Sequence, residues 1–410
     1  MVLRPTKAPT NGSAARRYPS WIDGFVQYTG RFIESADIFR RWTAISAVAA
    51  LLERKVWVDT GNLLYPNMYI WLVGPAGIGK TNAIKNCISI LREIDGPYKP
   101  AFSATSVSRA ALTDLLAAAK RVVTVPKSEV YNSLYVAVDE LSAFMSSWDA
   151  DIVAALTTFY DNVWYSEAKR GDTIRHHIDN PQLNVICGAT PDGLLKIVPS
   201  VSWGQGLMGR VVLIYSDQRH HKDMFGREKL EEEHDKLLSD ATRIASDYMG
   251  PLRADNAYRQ ALDEWRLGGM RPAPNHPLLR DYTARRATHI VKLSIISAID
   301  QDRMTLTLAD FTRAREWMQE ADSAMPKIFT TGGQSDDAMA LDQIAAYVAD
   351  RGTVSRGQLL RFVSSKVPLY NVERAIDMLL QGERITAKAI DGDGRAIRFG
   401  VSEPGDVPNP

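Results

Sequence analysis

The sequence predicts a three-layer α/β fold: a parallel sheet covered by helices on both faces, with helical regions on either side of it and a separate small module at the C-terminus. Two observations carry this. Four apolar runs, YIWLV, LYVAV, LNVICGA and VVLIYS, alternate with helical periodicities between 68 and 216, as in a parallel sheet whose strands are hidden on both faces. A linker-like stretch, TTGGQSDD, then separates a segment with its own helix and strand signals. At 410 residues the chain has room for two or three compact domains.

Composition narrows the possibilities. Hydrophobic residues at 45% and charged residues at 24% suit a chain with a sizeable buried core. A net charge of +1 excludes a uniformly basic protein, so any nucleic-acid surface must be a local cluster of Lys and Arg. The two cysteines, Cys87 and Cys187, lie in apolar segments without Cys/His pairs at zinc spacing, which points to a reducing cytoplasm. No stretch approaches the roughly 18 consecutive apolar residues of a membrane span, and the start of the chain lacks a charged-then-apolar signal pattern.

Residues 1–18 carry Arg4, Lys7, Arg16 and Arg17 among Pro, Gly, Ser and Asn without an acid, the composition of a disordered basic tail. In 19–60, apolar residues recur at helical spacing (Ile22, Phe25, Val26; Ile38, Trp42, Ile45, Val48, Leu51, Leu52), predicting two helices, with a short strand at 55–59. The core, 61–217, places helices at 81–94, 106–120, 149–161 and 192–197 between its strands. Residues 218–329 are charge-rich and helical, a lid region broken by Pro and Gly at 268–277 and followed by an amphipathic run at 282–299.

After the linker, 330–338, the module 339–402 reads as helices at 341–350, 355–362 and 371–381, with a short stretch at 352–354. Strands at 385–390 and 396–401 then flank the turn Asp391-Gly392-Asp393-Gly394. Ser355 and Asn371 suit helix N-caps. Residues 403–410 are a Pro/Gly-rich tail, expected to be disordered.

The string Gly74-Pro75-Ala76-Gly77-Ile78-Gly79-Lys80-Thr81 follows an apolar strand and opens a helix, the context that makes G-x-x-x-x-G-K-S/T a phosphate-binding loop. Its glycines let backbone N–H groups approach phosphates, Lys80 offers a positive charge to the β and γ oxygens of ATP, and Thr81 offers a hydroxyl to Mg²⁺. The strand LYVAV ends in Asp139-Glu140. There Asp139 suits Mg²⁺, mainly through water, and Glu140 suits an attacking water, the alternative being a cap on the next helix. Thr190, at the end of LNVICGA, is a candidate sensor of the γ-phosphate or, equally, a helix cap. Arg210, just before VVLIYS, is a candidate arginine finger supplied to a neighbouring subunit, or else a salt-bridged arginine.

With these motifs in this order, 68–216 resembles the core of an AAA+ ATPase, and the run RKVWVDTGNLLYPNMYIWLVGPAGIGKT looks like the approach to this loop in phage-type helicase ATPases. The segment WYSEAKRGDTIRHHIDNP reads as a β-hairpin just before the third apolar strand. A hairpin there is similar to that of the superfamily-three branch, which includes viral helicases and replication ATPases of phages and mobile elements. The resemblance implies a ring, most often a hexamer, whose hairpins grip single-stranded DNA in a central channel. It makes Lys169, Arg170, Arg175, His176 and His177 DNA-contact candidates; the alternative is a solvated hairpin. It also makes Arg285 or Arg286 a possible second phosphate sensor, against a helix-surface salt bridge.

The module 339–402 resembles a winged helix-turn-helix domain, whose usual partner is duplex DNA or, in other cases, a protein such as a replication factor. Arg374, Arg395, Lys366, Arg384, Lys388 and Arg398 would supply the contacts, diluted by Glu373, Asp377, Asp391 and Asp393. Taken together, the resemblances imply a ring-forming, ATP- and Mg²⁺-dependent DNA helicase in phage or mobile-element replication, working in a bacterial cytoplasm. The alternative is a DNA-binding AAA+ initiator, helicase loader or transposition regulator that does not unwind. A protein-remodelling chaperone fits less well, since Phe102-Ser103-Ala104-Thr105 is a poor aromatic pore loop.

Overall fold

The computed structural model describes residues 2–3, 16–104, 106, 108–124, 128–145, 147–168, 175–204, 206–222, 230–331, 344–345, 347–363, 376–377, 379–380, 385–389 and 397–401. The chain divides into two compact units, Met1–Gly332 and Gly333–Pro410, both mixing helix and sheet.

The first unit begins with β1 (Val2–Leu3), α1 (Trp21–Gly30) and α2 (Asp37–Leu52). Ser20 caps α1 by accepting from Asp23 N (3.0 Å). Apolar residues occur almost all round α2, so it is buried along its length, with Phe39, Trp42, Ile45, Val48 and Leu51 in the core. The described ends of the expected disordered tail are ordered. Val2 and Leu3 pair with Val122 and Val123, and the backbone N–H groups of Arg17 and Tyr18 donate to the Asp240 carboxylate (3.0 and 2.8 Å). Residues 4–15 lie outside the described residues.

Next come β2 (Val56–Asp59), β3 (Leu63–Leu64), β4 (Tyr69–Val73), α3 (Lys80–Glu93), α4 (Arg109–Ala118), β5 (Lys120–Val123), β6 (Glu129–Val138), α5 (Leu141–Phe144) and α6 (Ala150–Tyr160). After them follow β7 (Tyr165–Ala168), β8 (Arg175–Ile178), β9 (Pro181–Ala189), α7 (Pro191–Ile197) and β10 (Val211–Tyr215). The central sheet has the order β1-β5-β6-β9-β4-β10. The four expected strands, β6, β9, β4 and β10, lie side by side and parallel. Every position of β4, β9 and β10 is buried, which is why they read as unbroken apolar runs.

The far edge differs from expectation. The helix predicted at 106–120 stops at Ala118, and β5 turns back antiparallel to an extended β6. The run Lys120-Arg121-Val122-Val123 is too short and too polar to announce a strand by itself. Ala101–Ser103 also runs along β6: Tyr135 N donates to Ala101 O (2.8 Å) and Ser103 N to Tyr135 O (3.0 Å).

The remainder of the unit is α8 (Glu231–Asp247), β11 (Gly250–Pro251), β12 (Arg253–Ala254), α9 (Asn256–Leu267), α10 (Arg280–Asp300), β13 (Thr305–Leu306), α11 (Leu308–Ala324) and α12 (Lys327–Thr331). One hydrophobic core runs from Trp21 to Ile328, so the N-terminal helices, the sheet and the helical region after 218 share it. No described helix is long and apolar enough to cross a membrane.

In the second unit, β14 (Thr353–Ser355), β15 (Ile385–Ala389) and β16 (Ile397–Val401) form an antiparallel sheet in the order β14-β16-β15, with α13 (Arg356–Val363) following β14. Its separate core gathers Ile344, Val348, Val354, Leu359, Ile376, Leu379 and Ile385. Ser355 caps α13 reciprocally: Gln358 N donates to Ser355 Oγ (3.3 Å) and Ser355 N to Gln358 Oε1 (3.0 Å). The expected strands after 385 are therefore present as a ribbon, joined by a third strand that the sequence showed only as a short stretch. Asn371 and the turn 391–394 lie outside the described residues.

Candidate functional site

Register sets the site's position. Val73 pairs with both Ala189 and Tyr215, so β4, β9 and β10 end level, and Val138 of β6 pairs with Cys187 just before that edge. The segments starting at Gly74, Asp139, Thr190 and Ser216 thus leave the sheet along one carboxyl edge, where open α/β sheets form their ligand crevices.

Gly77 and Gly79 have φ of +78° and +85°, left-handed conformations that favour glycine. A β-carbon on Gly79 would also lie 2.4 Å from Glu34 O, and one on Gly74 would lie 2.2 Å from Ser216 O. The loop is therefore wrapped closely by the chain before α2 and the chain after β10. Lys80, 7% exposed, turns back into the loop and donates from Nζ to Gly74 O (2.6 Å) and Pro75 O (2.7 Å). Burial pulls its pKa below the ordinary lysine value, opposed by the nearby Glu140 carboxylate.

A pocket of about 320 Å³ opens over the loop, lined by Ala76 to Asn82, Glu140, Thr190, Glu34 and Arg219. Burial raises the Glu140 pKa above 4.5, with Lys80 opposing the rise. Thr190 Oγ1 accepts from Gly193 N (3.1 Å) and caps α7, the cap expected of it, and the residue also lines the pocket. A β-carbon on Gly193 would lie 2.9 Å from Thr190 Oγ1 and 4.0 Å from Glu140 Oε1, which places the two side chains around one space. Asp139 is ion-paired with Lys85 of α3 (2.7 Å) and does not line the pocket.

Arg210 takes the salt bridge that was the alternative for it. It is 5% exposed and clasps Asp161, with Nε to Oδ1 at 3.0 Å and a second bond from Nη2 to Oδ2, while Nη1 donates to Gly206 O (2.6 Å). All three nitrogens of this guanidinium thus bond within its own chain, and the side chain is turned away from the surface where a neighbour's nucleotide would lie. All three residues of the short turn Met208–Arg210 are buried. Of the two arginines considered as second sensors, Arg286 is buried against Asp322 (2.6 Å) and Pro272 O (2.7 Å), and Arg285 lies 3.9 Å from Asp161. Neither lines the pocket.

The hairpin expected before β9 is present as β7 and β8, antiparallel with Ala168 opposite Arg175. Lys169 and Arg170 lie outside the described residues; Arg175 and His176 are on β8, and exposed His177 meets Asp179 at 2.8 Å. The sequence reading passed over Trp164, 62% exposed at the foot of the hairpin, with its ring 6.1 Å from that of His177. Arg374, Arg395, Lys366 and Arg384 lie outside the described residues. Lys388 and Arg398 fall opposite each other on β15 and β16.

Two pocket residues were also missed. Arg219 opens the basic run Arg219-His220-His221-Lys222 just beyond the strand beside the loop strand, a signal that could have identified it. Glu34 carries no such signal. No protein-family model matches the chain, and no curated protein matches it.

Proposed function

We propose that the chain is an AAA+ ATPase of the superfamily-three-like branch that hydrolyses ATP to move along DNA as a ring, most simply a hexamer, and serves as a replicative helicase of phage or mobile-element type. The observation that carries this reading is a buried Lys80 inside a glycine cradle that shares one pocket with Glu140. Backbone N–H groups of the loop and the α3 N-terminus would receive the phosphates. Lys80 would exchange its two carbonyl partners for phosphate oxygens, and Glu140 would polarise the attacking water beside Thr190. Thr81 and Asp139 would hold Mg²⁺, which when bound neutralises charge developing on the phosphates; Asp139 would leave Lys85 to do so.

A base works only when ionised, and burial shifts Glu140 ionisation upward. The hydrolysis rate is therefore expected to fall, on acidification, through a pKa above 4.5. A pH–rate profile checks this; an acid limb at or below 4.5 would remove Glu140 from the role.

The hairpin and Trp164 support a single-stranded DNA contact, because aromatic and cationic side chains together suit stacked bases and backbone phosphates. Arg170→Ala is expected to lower the ratio of hydrolysis rates with and without single-stranded DNA, and an unchanged ratio would sink the hairpin's role. The second unit's capped helix and three-stranded sheet support the winged-helix reading, with duplex DNA or a replication protein as partner. Strand displacement on a forked duplex tests the helicase itself. One observation favours the second reading, a DNA-binding initiator, loader or transposition regulator without unwinding: Arg210 is buried on Asp161 and Gly206 O of its own chain rather than turned outward to a neighbour. DNA-stimulated hydrolysis without displacement would select it.

A further inference from the structure

The pocket has two flanks. In the sheet, β9 and β6 lie on one side of β4 and β10 lies on the other. Thr190 and Glu140 follow β9 and β6, whereas Arg219 follows β10. Arg219 reaches the pocket with a side chain that is 46% exposed. It meets Glu34, which arrives from the chain before α2: Nε donates to Glu34 Oε2 at 2.9 Å, and Nη2 donates to the same oxygen. The other carboxylate oxygen accepts from Lys222 N (3.2 Å). Nη1 has no hydrogen-bond partner among the described residues.

This is not the fork-to-fork pairing that guanidinium and carboxylate favour, since two donors converge on one oxygen. A phosphate presents several oxygens and more charge, and it suits a planar guanidinium fork better. Glu34, in turn, puts a negative charge on the wall of a pocket whose loop, helix N-terminus and lysine all suit an anion.

We propose that Arg219 is a nucleotide-binding residue on the flank opposite Glu140, held by Glu34 until a polyphosphate draws it away. The proposal rests on the nucleotide reading above. Because Glu140 and Thr190 define the side of the terminal phosphate in that reading, Arg219 faces the nucleoside side, at phosphates common to ATP and ADP. Glu34 acts as an internal competitor that sets how tightly both nucleotides bind.

The test is equilibrium titration of the full chain with a fluorescent ADP, displaced by ATP and by ADP, with melting temperature as the check on folding. Arg219→Ala is expected to weaken ATP and ADP alike by about tenfold, the lower range for a charge-assisted hydrogen bond. Arg219→Lys should recover part of the loss. Glu34→Gln is expected to tighten both nucleotides by about threefold, a direction that a merely structural ion pair does not give. If Arg219→Ala binds both nucleotides within about twofold of wild type while Lys80→Ala abolishes binding, the inference is overturned and the nucleotide reading stands. A loss confined to ATP overturns it too, by moving Arg219 to the terminal phosphate. Failure of the unmodified chain to bind either nucleotide overturns both.

Discussion

Replacing Lys80 by alanine is expected to lower ATP hydrolysis by about 10²- to 10³-fold or more, the usual cost of removing one preorganised donor from a charge that develops in the transition state. The geometry explains why nothing nearby substitutes for it. Lys80 is the cation held inside the loop, with Nζ on Gly74 O and Pro75 O, while the other cation among the described lining residues, Arg219, follows β10 on the flank opposite Glu140. The variant should stay folded, because the lost contacts are two bonds to loop carbonyls. Steady-state hydrolysis beside a thermal melt checks both halves. Retained hydrolysis in a folded Lys80→Ala protein would remove the loop from the chemistry.

Arg210→Ala separates a structural arginine from a catalytic one. Its guanidinium is buried, pairs twice with Asp161 and holds Gly206 O. Removing it leaves the 37%-exposed Asp161 with Arg285 at 3.9 Å and strands Gly206 O, a loss on the order of 1–2 kcal/mol. We expect the melting temperature to fall by roughly 2–4 °C, with hydrolysis by the folded protein retained. The opposite result is a variant that melts like wild type, has lost hydrolysis, and regains it when mixed with Lys80→Ala protein. That would restore Arg210 as a residue lent between subunits, in a conformation different from this one.

What was legible in the sequence follows from which signals are local. β4, β9 and β10 are buried at every position, so their composition alone announces them, and a glycine-lysine-threonine loop between strand and helix carries its own context. The antiparallel β5 was not legible, because its pairing with β6 is a tertiary fact and four mixed residues leave no period to read. The cap at Thr190 and the reciprocal cap at Ser355 were visible, since capping is settled within a few residues. Arg210 shows the limit. Its place before β10 was right, but its partner Asp161 lies on another element, and only the fold decides whether a guanidinium turns outward or in. Glu34 was invisible for the same reason, as it matters only through an arginine brought to it from beyond β10.

The most direct test of the central claim is the steady-state rate of ATP hydrolysis by the purified full chain, with Mg²⁺, measured with and without single-stranded DNA. Hydrolysis that requires Lys80 and rises when single-stranded DNA is added is the expected result. Hydrolysis that persists in Lys80→Ala, or a chain that neither binds nor hydrolyses ATP, would contradict it.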